Sequence, residues 1–360
     1  MKQVGQKLLL VCCGVIVAML LCEGLAWITP VRLLPERLRE VRERLELLHS
    51  SENLYVRDSE LLFKIRPNAD TIVTHSDYQY RFKTNLNLTG IGFRGGSLGG
   101  RPWAVAVGDS FTFGQGVDQE YTWIDLLARS LGREIVNLGV PAHGPPQYTR
   151  ILMRYGLPMY PRVVFYGFYF NDISTATRFH RIRRTLIPVN RYLREYSVLY
   201  NLYRDLRTAS VQQPAPVLKT AGGEMQVDVE GLRKHVERDD FAARWQATTA
   251  EIRAAKAASI EANVEFILLY LPSPLEVYGD PLKTKNQVPD TVDVDRLRRT
   301  VMEYCEAQEL RCFDLTEALR REAKQGKQLY FSADEHWNKE GHRVVATAIK
   351  EFLTTQGIVD

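Results

Sequence analysis

One pattern recurs through the carboxyl-terminal two thirds of the chain: a short apolar run, a turn, and then an amphipathic helical segment. Such alternation predicts an α/β fold in which helices cover both faces of a parallel sheet. The predicted strands span residues 103–107, 134–138, 163–168, 264–271 and 311–315. The predicted helices span residues 123–131, 148–155, 241–262, 294–307 and 341–353.

The sequence also predicts four segments along the chain. We predict a membrane anchor over residues 1–30, a charged helical stalk over 31–50, a lead-in of strands and loops over 51–102, and the main domain over 103–360. The third and fourth predicted strands lie far further apart than a crossover requires, which predicts an insertion at about 173–240. Arginines and tyrosines alternate in its first half, as in a solvated amphipathic hairpin. Contact with an anionic polymer or with lipid headgroups is the alternative.

Residues 8–28 are apolar apart from Glu23 and the glycines, and this run is long enough to span a bilayer. We predict a retained single-pass anchor. A cleaved signal peptide is the first alternative and a buried helix the second. The retained anchor is preferred to the signal peptide because the apolar run is long and only Gly24-Leu25-Ala26 resembles a cleavage site. More basic residues follow the run than precede it, so the positive-inside rule by itself favours a cytoplasmic body.

Composition and cysteine usage narrow the function only a little. The 360 residues, 45% hydrophobic and 25% charged, are typical of a globular protein. A net charge of +4, without a nucleic-acid-binding signature, argues against DNA or RNA as a partner. Three cysteines lie in the apolar run. The other two, Cys305 and Cys312, either form a disulfide in an oxidising compartment or stay reduced in the core.

The motif Gly108-Asp109-Ser110 directly follows the first predicted strand. Ser110 therefore lies at the carboxyl end of a parallel sheet, where ligands bind and a following helix offers free N–H groups. An ordinary β-turn would use the same residues, so a nucleophile needs partners elsewhere. On a predicted loop near the carboxyl terminus, His336 is a candidate base and Asp334 its orienting carboxylate.

Two further kinds of site follow from neighbouring residues. Oxyanion donors are expected from the N–H of Ser110, an N–H of Ala142 or Gly144, and the side-chain amide of Asn171, because these residues follow the first three strands. Alone, Asn171 would be interpreted as a turn cap. A metal site built on Asp334, His336 and His342 is a weak alternative without further ligands at familiar spacing, and we predict neither metal nor cofactor.

Four motifs in this order resemble the SGNH/GDSL hydrolase superfamily, particularly its membrane-anchored bacterial members associated with the cell envelope and exopolysaccharides. They are Gly108-Asp109-Ser110, the turn at 137–144, Asn171-Asp172 and Asp334-Glu335-His336-Trp337-Asn338. The resemblance covers residues 85–353, with the insertion unaccounted for. It implies a three-layer αβα flavodoxin-like fold with about five parallel strands.

The resemblance also implies roles for individual residues. Ser110 is the nucleophile and first oxyanion donor, Asn171 the side-chain donor, His336 the base and Asp334 its partner. Three departures from the usual motifs stand out. Ala142 occupies the position of the oxyanion glycine, which leaves Gly144 as the other candidate. Phe170 replaces a glycine before Asn171, and only one residue separates Asp334 from His336 where many relatives have two.

Serine-dependent acyl transfer through an acyl-enzyme is the activity that the resemblance implies. The enzyme is an esterase or deacetylase if water accepts the acyl group, and an O-acetyltransferase if a sugar hydroxyl does. Expected partners are an acyl ester or acetylated glycan, the membrane, and other envelope polysaccharide proteins, with the body in the periplasm. A non-catalytic polysaccharide-binding or assembly protein is the alternative, suggested by Ala142 and the basic insertion.

Overall fold

The computed structural model describes residues 2–49, 54–84, 86–88, 90–95, 100–184, 193, 196–209, 217–220, 223–227, 232–233, 235, 237–284 and 293–359. The chain divides into two compact units. The smaller comprises Met1–Tyr55 and Ile182–Pro214, and the larger comprises Val56–Arg181 and Ala215–Asp360. Part of the predicted insertion thus belongs with the amino-terminal segment and not with the main domain.

Within the described residues the elements are as follows. The helices are α1 (Lys2–Ile28), α2 (Glu36–His49), α3 (Ser110–Phe113), α4 (Trp123–Leu131), α5 (Pro145–Ile151), α6 (Asp172–Arg184), α7 (Val198–Ala209), α8 (Phe241–Glu261), α9 (Pro274–Thr284), α10 (Arg296–Ala307), α11 (Thr316–Lys324) and α12 (Lys339–Thr355). The strands are β1 (Tyr55–Asp58), β2 (Leu62–Ile65), β3 (Asp70–Thr74), β4 (Gln79–Lys83), β5 (Leu86–Leu88), β6 (Ile91–Phe93), β7 (Ala104–Val107), β8 (Ile135–Asn137), β9 (Val163–Phe168), β10 (Val217–Thr220), β11 (Gly223–Gln226), β12 (Glu265–Tyr270) and β13 (Cys312–Asp314).

A five-stranded parallel sheet forms the centre of the larger unit, in the order β13-β12-β9-β7-β8. Counted along the chain, this order is 2-1-3-4-5, which is the flavodoxin-like arrangement. Every residue of β7 and β9 is buried, as expected for strands covered on both faces. The predicted fold class is confirmed, and each predicted strand overlaps an observed one.

Helices pack in two groups around this sheet. α4 contacts α12, and α5 contacts α8. Parallel crossovers are right-handed, and the path from β7 to β8 runs in the opposite direction to the path from β8 to β9 and on to β12. α4 therefore lies on the face opposite α5 and α8, which gives the three layers. The sulfur atoms of Cys305 and Cys312 form a disulfide that ties α10 to β13, with their Cα atoms 6.2 Å apart.

The lead-in contains the two-stranded pairs β1 with β2, β3 with β4 and β5 with β6, and the last two of these pairs are antiparallel. In the β3–β4 hairpin, Asp70 pairs with Lys83 and Thr74 with Gln79. Burial alternates along β4, where Tyr80 and Phe82 face the interior, as a half-buried strand requires. The turn of this hairpin contacts the loop that precedes α12.

Among the described residues, the smaller unit contains the helices α1, α2 and α7. Within it, α2 packs against α7, and a small apolar core joins Ala26, Val41, Leu45 and Val198. The segment predicted as a charged helical stalk is therefore packed along one side. Helix α1 contains the stretch Leu10–Ile28, which has the length and composition to cross a membrane and is almost wholly exposed. A signal sequence would meet the same criteria.

Candidate active site

The loop between β7 and α3 presents the hydroxyl of Ser110. Asp109 caps the short helix, because the Phe111 N–H donates to its Oδ1 at 2.9 Å. No side chain fits at Gly108, where a Cβ would overlap the Thr112 hydroxyl. Since strand order reverses between β7 and β9, this turn places Ser110 at the switch point of the sheet, where ligands bind in folds of this class.

His336 and Asp334 stand in line with Ser110. The Nε2 atom of His336 lies 2.6 Å from Ser110 Oγ, and its Nδ1 is hydrogen-bonded to Asp334 Oδ1. The same carboxylate oxygen accepts the His336 backbone N–H at 2.8 Å. With its Nδ1–H held by the carboxylate, the neutral imidazole leaves Nε2 as the acceptor for the serine proton.

Charge on Asp334 is strongly favoured. Burial by itself would raise the pKa of Asp334, but hydrogen bonds from the His336 ring and backbone, the charge of that ring, and a hydrogen bond from Tyr78 together lower this pKa to about 2. A carboxylate in this state can stabilise an imidazolium without taking its proton.

Tyr78, in the turn between β3 and β4, adds a fourth side chain to this line. Its hydroxyl donates to Asp334 Oδ2 at 2.8 Å and accepts from Gln115 Nε2 at 3.2 Å. The ring lies 4.6 Å from that of Phe331 and 4.7 Å from that of His75, centroid to centroid. Both carboxylate oxygens of Asp334 are therefore held, one by the base and one by the lead-in hairpin.

Tyr78 was not among the predicted site residues, because the lead-in contains no recognisable catalytic motif. Tyr78 and Asp334 are separated by 256 positions, and no spacing rule connects a hairpin tyrosine to a carboxyl-terminal loop. The hairpin makes a second contact nearby, since Asp77 Oδ2 accepts the Ala333 N–H. The contact between Tyr78 and Asp334 therefore becomes visible only in the folded chain.

The turn after β8 supplies one candidate oxyanion donor. Ala142 is exposed and adopts φ +62°, the left-handed region that favours glycine. Over the described part of the chain, its N–H has no hydrogen-bond acceptor. The N–H of Gly144, in contrast, donates to Gln147 Oε1 at 3.2 Å and starts helix α5. Of the two predicted alternatives, only Ala142 has an N–H that is available.

Asn171 follows β9, which pairs directly with β7, so it lies at the same sheet edge as Ser110. Its Oδ1 is buried and has no hydrogen-bond partner among the residues that the structure describes. The next residue, Asp172, fixes the turn: Oδ1 accepts the Tyr148 hydroxyl at 2.9 Å and Oδ2 the Tyr169 N–H at 3.1 Å. Burial, with the charge of Asp109 nearby, raises the pKa of Asp172 far above its ordinary range.

Aromatic rings form the floor under the histidine. Phe111 lies 4.9 Å from the ring of His336, 4.9 Å from that of Trp337 and 4.2 Å from that of Tyr169, centroid to centroid. The Tyr169 hydroxyl donates to Glu335 Oε2 at 2.9 Å. Packing of this kind limits the rotamers open to His336 and keeps its ring over the serine.

The loop that holds Asp334 and His336 is closed at its base. Tyr330 and Trp337 form an isolated antiparallel bridge, and the Phe331 N–H donates to the His336 carbonyl at 3.1 Å. Asn338 caps α12 by accepting the Gly341 N–H at 3.0 Å. These contacts close the loop into a short hairpin and fix it to the start of α12.

His342, the third residue of the alternative metal site, is in a different environment. It is buried on α12, and its Nδ1 accepts the Trp123 N–H at 3.2 Å. Burial lowers the pKa of His342 to about 3, so the ring stays neutral. In the described ranges, no three His, Cys, Asp or Glu side chains come close enough to hold a metal ion.

Arg94 supports the opposite side of the site. Its buried guanidinium donates to the carbonyl of Phe113, at the end of α3, and to those of Gly114 and Val117 in the loop that follows. A buried cation is tolerated when its donors are satisfied in this way. The same loop contains Gln115, so Arg94 indirectly fixes the residue that supports Tyr78.

Comparison with known proteins gives one family match. Residues 232–359 match the family described as "SGNH hydrolase-like domain, acetyltransferase AlgX". Asp334 and His336 lie within the matched stretch, whereas Ser110 and Asn171 precede it. No curated protein matches this chain.

Solved structures with similar folds include a lipolytic protein of the G-D-S-L family from Desulfitobacterium hafniense. It is 15% identical, with 69% of this chain and 97% of that chain covered and a TM-score of 0.39. Another is the acetyl xylan esterase AlAXEase, 14% identical, with 69% of this chain and 99% of that chain covered and a TM-score of 0.40.

Proposed function

Because this chain belongs to the SGNH/GDSL hydrolase superfamily, we propose that it transfers an acyl group through an acyl-enzyme formed on Ser110. The observation that supports this most directly is the 2.6 Å separation of Ser110 Oγ and His336 Nε2, with Asp334 bonded to the far side of the ring. A nucleophile, a base and an orienting carboxylate are the minimum that such chemistry requires.

In the first half-reaction, His336 Nε2 takes the proton of Ser110 as Oγ attacks the ester carbonyl. The N–H groups of Ser110 and Ala142 and the amide of Asn171 stabilise the resulting oxyanion, and each such donor contributes a few kcal/mol in general. The bond to the leaving alcohol then breaks, and the imidazolium returns its proton to that oxygen. Asp334 stays ionised throughout, held by Tyr78.

In the second half-reaction, an acceptor hydroxyl attacks the acyl-enzyme, His336 removes its proton, and Ser110 is released with that proton. We propose a polysaccharide of the envelope or a secreted polysaccharide as the glycan. The matched family is described as an acetyltransferase, which favours a sugar hydroxyl over water as acceptor. Hydrolysis by the same residues would make the protein a deacetylase.

Replacing Ser110 with alanine tests the mechanism. We expect turnover of a small acetyl ester to fall by a factor of at least about 1,000, because removal of a triad member leaves only binding and oxyanion stabilisation. The matched control is Ser130→Ala, since the Ser130 hydroxyl bonds only to the Leu127 carbonyl of its own helix. Undiminished turnover in the Ser110 variant would overturn the mechanism.

Covalent labelling separates the enzyme from the non-catalytic alternative. A fluorophosphonate should modify Ser110 in the full chain and leave the Ser110→Ala variant unlabelled, because only an activated serine reacts. A binding or assembly protein on the same scaffold would stay unlabelled. Incubating the labelling-competent protein with an acetyl donor and unacetylated glycan, and separately with acetylated glycan, then shows whether sugar or water is the acceptor.

We also propose that the protein is anchored by α1 and that its body lies outside the cytoplasm. The Cys305–Cys312 disulfide supports this placement, because such bonds persist mainly in oxidising compartments. The family match supports it as well, through the envelope association that the sequence resemblance implies. Basic residues after the anchor favour the opposite orientation, so a direct test is needed.

A further inference from the structure

Glu23 lies within the apolar stretch of α1, five positions before its end. Its carboxylate accepts hydrogen bonds from Ser197 Oγ at 2.8 Å, Val198 N at 2.6 Å, Leu199 N at 3.2 Å and Trp27 Nε1 at 3.1 Å. Two of these donors are the first free N–H groups of α7. A carboxylate in a membrane-spanning helix is costly unless it is partnered, and capping a helix start is a favourable partnership.

An apolar contact reinforces this cap. Val198 packs with Ala26 of α1 and with Val41 and Leu45 of α2, and Leu202 extends the same contact by one turn. The amino-terminal end of α7 is therefore fixed to the last two turns of α1. A helix that follows the anchor by about 170 positions has become part of the anchoring unit.

A second apolar stripe runs along α7, on the flank of this contact. Leu199, Tyr203 and Leu206 repeat at helical spacing along it, and Tyr203 and Leu206 are 58% and 45% exposed. Arg204 and Arg207 are on the same helix, beside this stripe. Tyrosine and leucine bordered by arginine are typical of helices that lie in the headgroup region of a bilayer.

We propose that α7 lies in the interface of the bilayer that α1 spans, with Tyr203 and Leu206 inserted between lipid headgroups and acyl chains. The membrane is the occupant that the structure favours, because Glu23 joins the start of the helix that carries this stripe to α1, whose stretch Leu10–Ile28 has the length and composition to cross a membrane. The proposal rests on the membrane anchoring by α1 proposed above and is independent of the reaction at Ser110. A second copy of the chain is the competing occupant.

Spin-label accessibility tests this proposal on the full chain in phosphatidylethanolamine and phosphatidylglycerol vesicles. Cys12, Cys13 and Cys22 are first replaced with alanine, and a nitroxide is attached at Leu206→Cys. Leu20→Cys on α1 is the reference for lipid exposure, and Thr354→Cys at the exposed end of α12 is the reference for water exposure. Collision rates with oxygen and with a water-soluble nickel chelate are compared at each site.

We expect the label at position 206 to collide preferentially with oxygen, as the label at 20 does, whereas the label at 354 prefers the nickel chelate. If position 206 behaves like 354 while 20 stays in lipid, this inference fails and the anchor stands. If position 20 is itself water-exposed, α1 does not span and both proposals fail. Spin–spin broadening at 206 would identify a second copy as the occupant and overturn the membrane assignment.

Glu23→Ala tests the link between the two helices. With the cap removed, the label at 206 should lose its oxygen preference while the label at 20 keeps it. Glu36→Ala, on the exposed start of α2, is the control. An unchanged oxygen preference at 206 in the Glu23 variant would show that another contact fixes α7 to the bilayer.

Discussion

Both carboxylate oxygens of Asp334 are held by hydrogen bonds, so its side chain is fixed more firmly than by the contact with His336 alone. One carboxylate oxygen serves the backbone and ring of His336, and the other receives the Tyr78 hydroxyl. Rotation about the last side-chain bond would break both sets at once. Two residues that lie far apart in the sequence, Tyr78 and His336, thus hold one carboxylate in the orientation that a triad needs.

Tyr78→Phe should lower kcat by about tenfold to a hundredfold and leave KM nearly unchanged, because a hydrogen bond to a charged group contributes about 1.5–3 kcal/mol. The loss should be the same at pH 6 and pH 9. Asp334, with a pKa of about 2, stays ionised across this range even with one donor fewer. Steady-state kinetics on a small acetyl ester measure both quantities.

The control for this prediction is Tyr160→Phe, whose side chain is 68% exposed and lies away from the site. A merely structural role for Tyr78 would lower thermal stability and raise KM without changing kcat of the folded fraction. Wild-type kcat in the Tyr78 variant would show that Asp334 does not need this support.

Ala142→Gly should preserve activity and raise the free energy of unfolding by up to about 1.6 kcal/mol. Ala142 sits at φ +62°, where an L-residue is strained by about 1–2 kcal/mol, and the added entropy of glycine offsets roughly 0.4–1 kcal/mol of the relief. The backbone N–H is unchanged. Ala262→Gly is the control, since Ala262 has φ −83° and glycine there should only destabilise. Equal destabilisation in both variants would contradict the strain.

At the scale of elements, hydrophobic periodicity predicted the bounds of helices and strands best where the apolar residues of one element form a regular buried pattern. α4 was predicted at its observed bounds, and β9 likewise. α9 was missed because Gly279 and Pro281 interrupt its pattern, and α11 because it is short and highly charged. Pro145 and Pro146 concealed the start of α5, although proline suits the first turn of a helix.

Pairings between distant elements were beyond the sequence. The charged pattern of α2 predicted a helical stalk, but nothing in its sequence identified α7 as a packing partner. At the site, local motifs predicted roles for Ser110, Asp334, His336 and Asn171, because each lies in a recognisable motif at the end of a strand or in a loop, and these roles stay predictions. Tyr78 and Arg94 act through contacts that only the folded chain creates.

The junction of α4 and α12 should weaken in acid through His342. Its folded pKa is about 3, against 6.5 for an exposed histidine, so between these values the unfolded chain binds a proton that the folded chain does not. Stability from this residue is therefore lost as pH falls below 6.5. In His342→Gln, the stability difference from wild type should shrink by about 1.4 kcal/mol between pH 7.5 and 5.5.

Denaturant unfolding in detergent at the two pH values measures this difference. Glutamine keeps an acceptor for the Trp123 N–H but has no proton to gain. A stability difference that is equal at both pH values would mean that His342 is protonated in the folded chain, contrary to its burial.

Across the whole molecule, the reversal of strand order determines where the site lies. β7 and β9 are neighbours, yet the chain leaves them towards opposite edges of the sheet. The connections that leave these two strands diverge and form a crevice at their carboxyl ends. Ser110 lies on one side of this crevice and Asn171 on the other. The lead-in hairpin and the carboxyl-terminal loop close over this crevice from elements that do not belong to the sheet.

Two features of the chain favour opposite orientations in the membrane. Arginines after the anchor favour a cytoplasmic body, but Arg42 donates to the carbonyls of Ala26 and Thr29 at the end of α1 and also pairs with Glu46. That arginine is engaged in the fold, which weakens the charge argument. The Cys305–Cys312 disulfide favours the oxidising side.

We therefore expect protease added to intact spheroplasts to digest the body while an amino-terminal tag stays protected. In inverted vesicles the pattern should reverse. Maleimide should reach Cys305 and Cys312 only after reduction, because the disulfide blocks both thiols. Digestion of the body in inverted vesicles alone would place it in the cytoplasm, and an envelope glycan would then be excluded as its substrate.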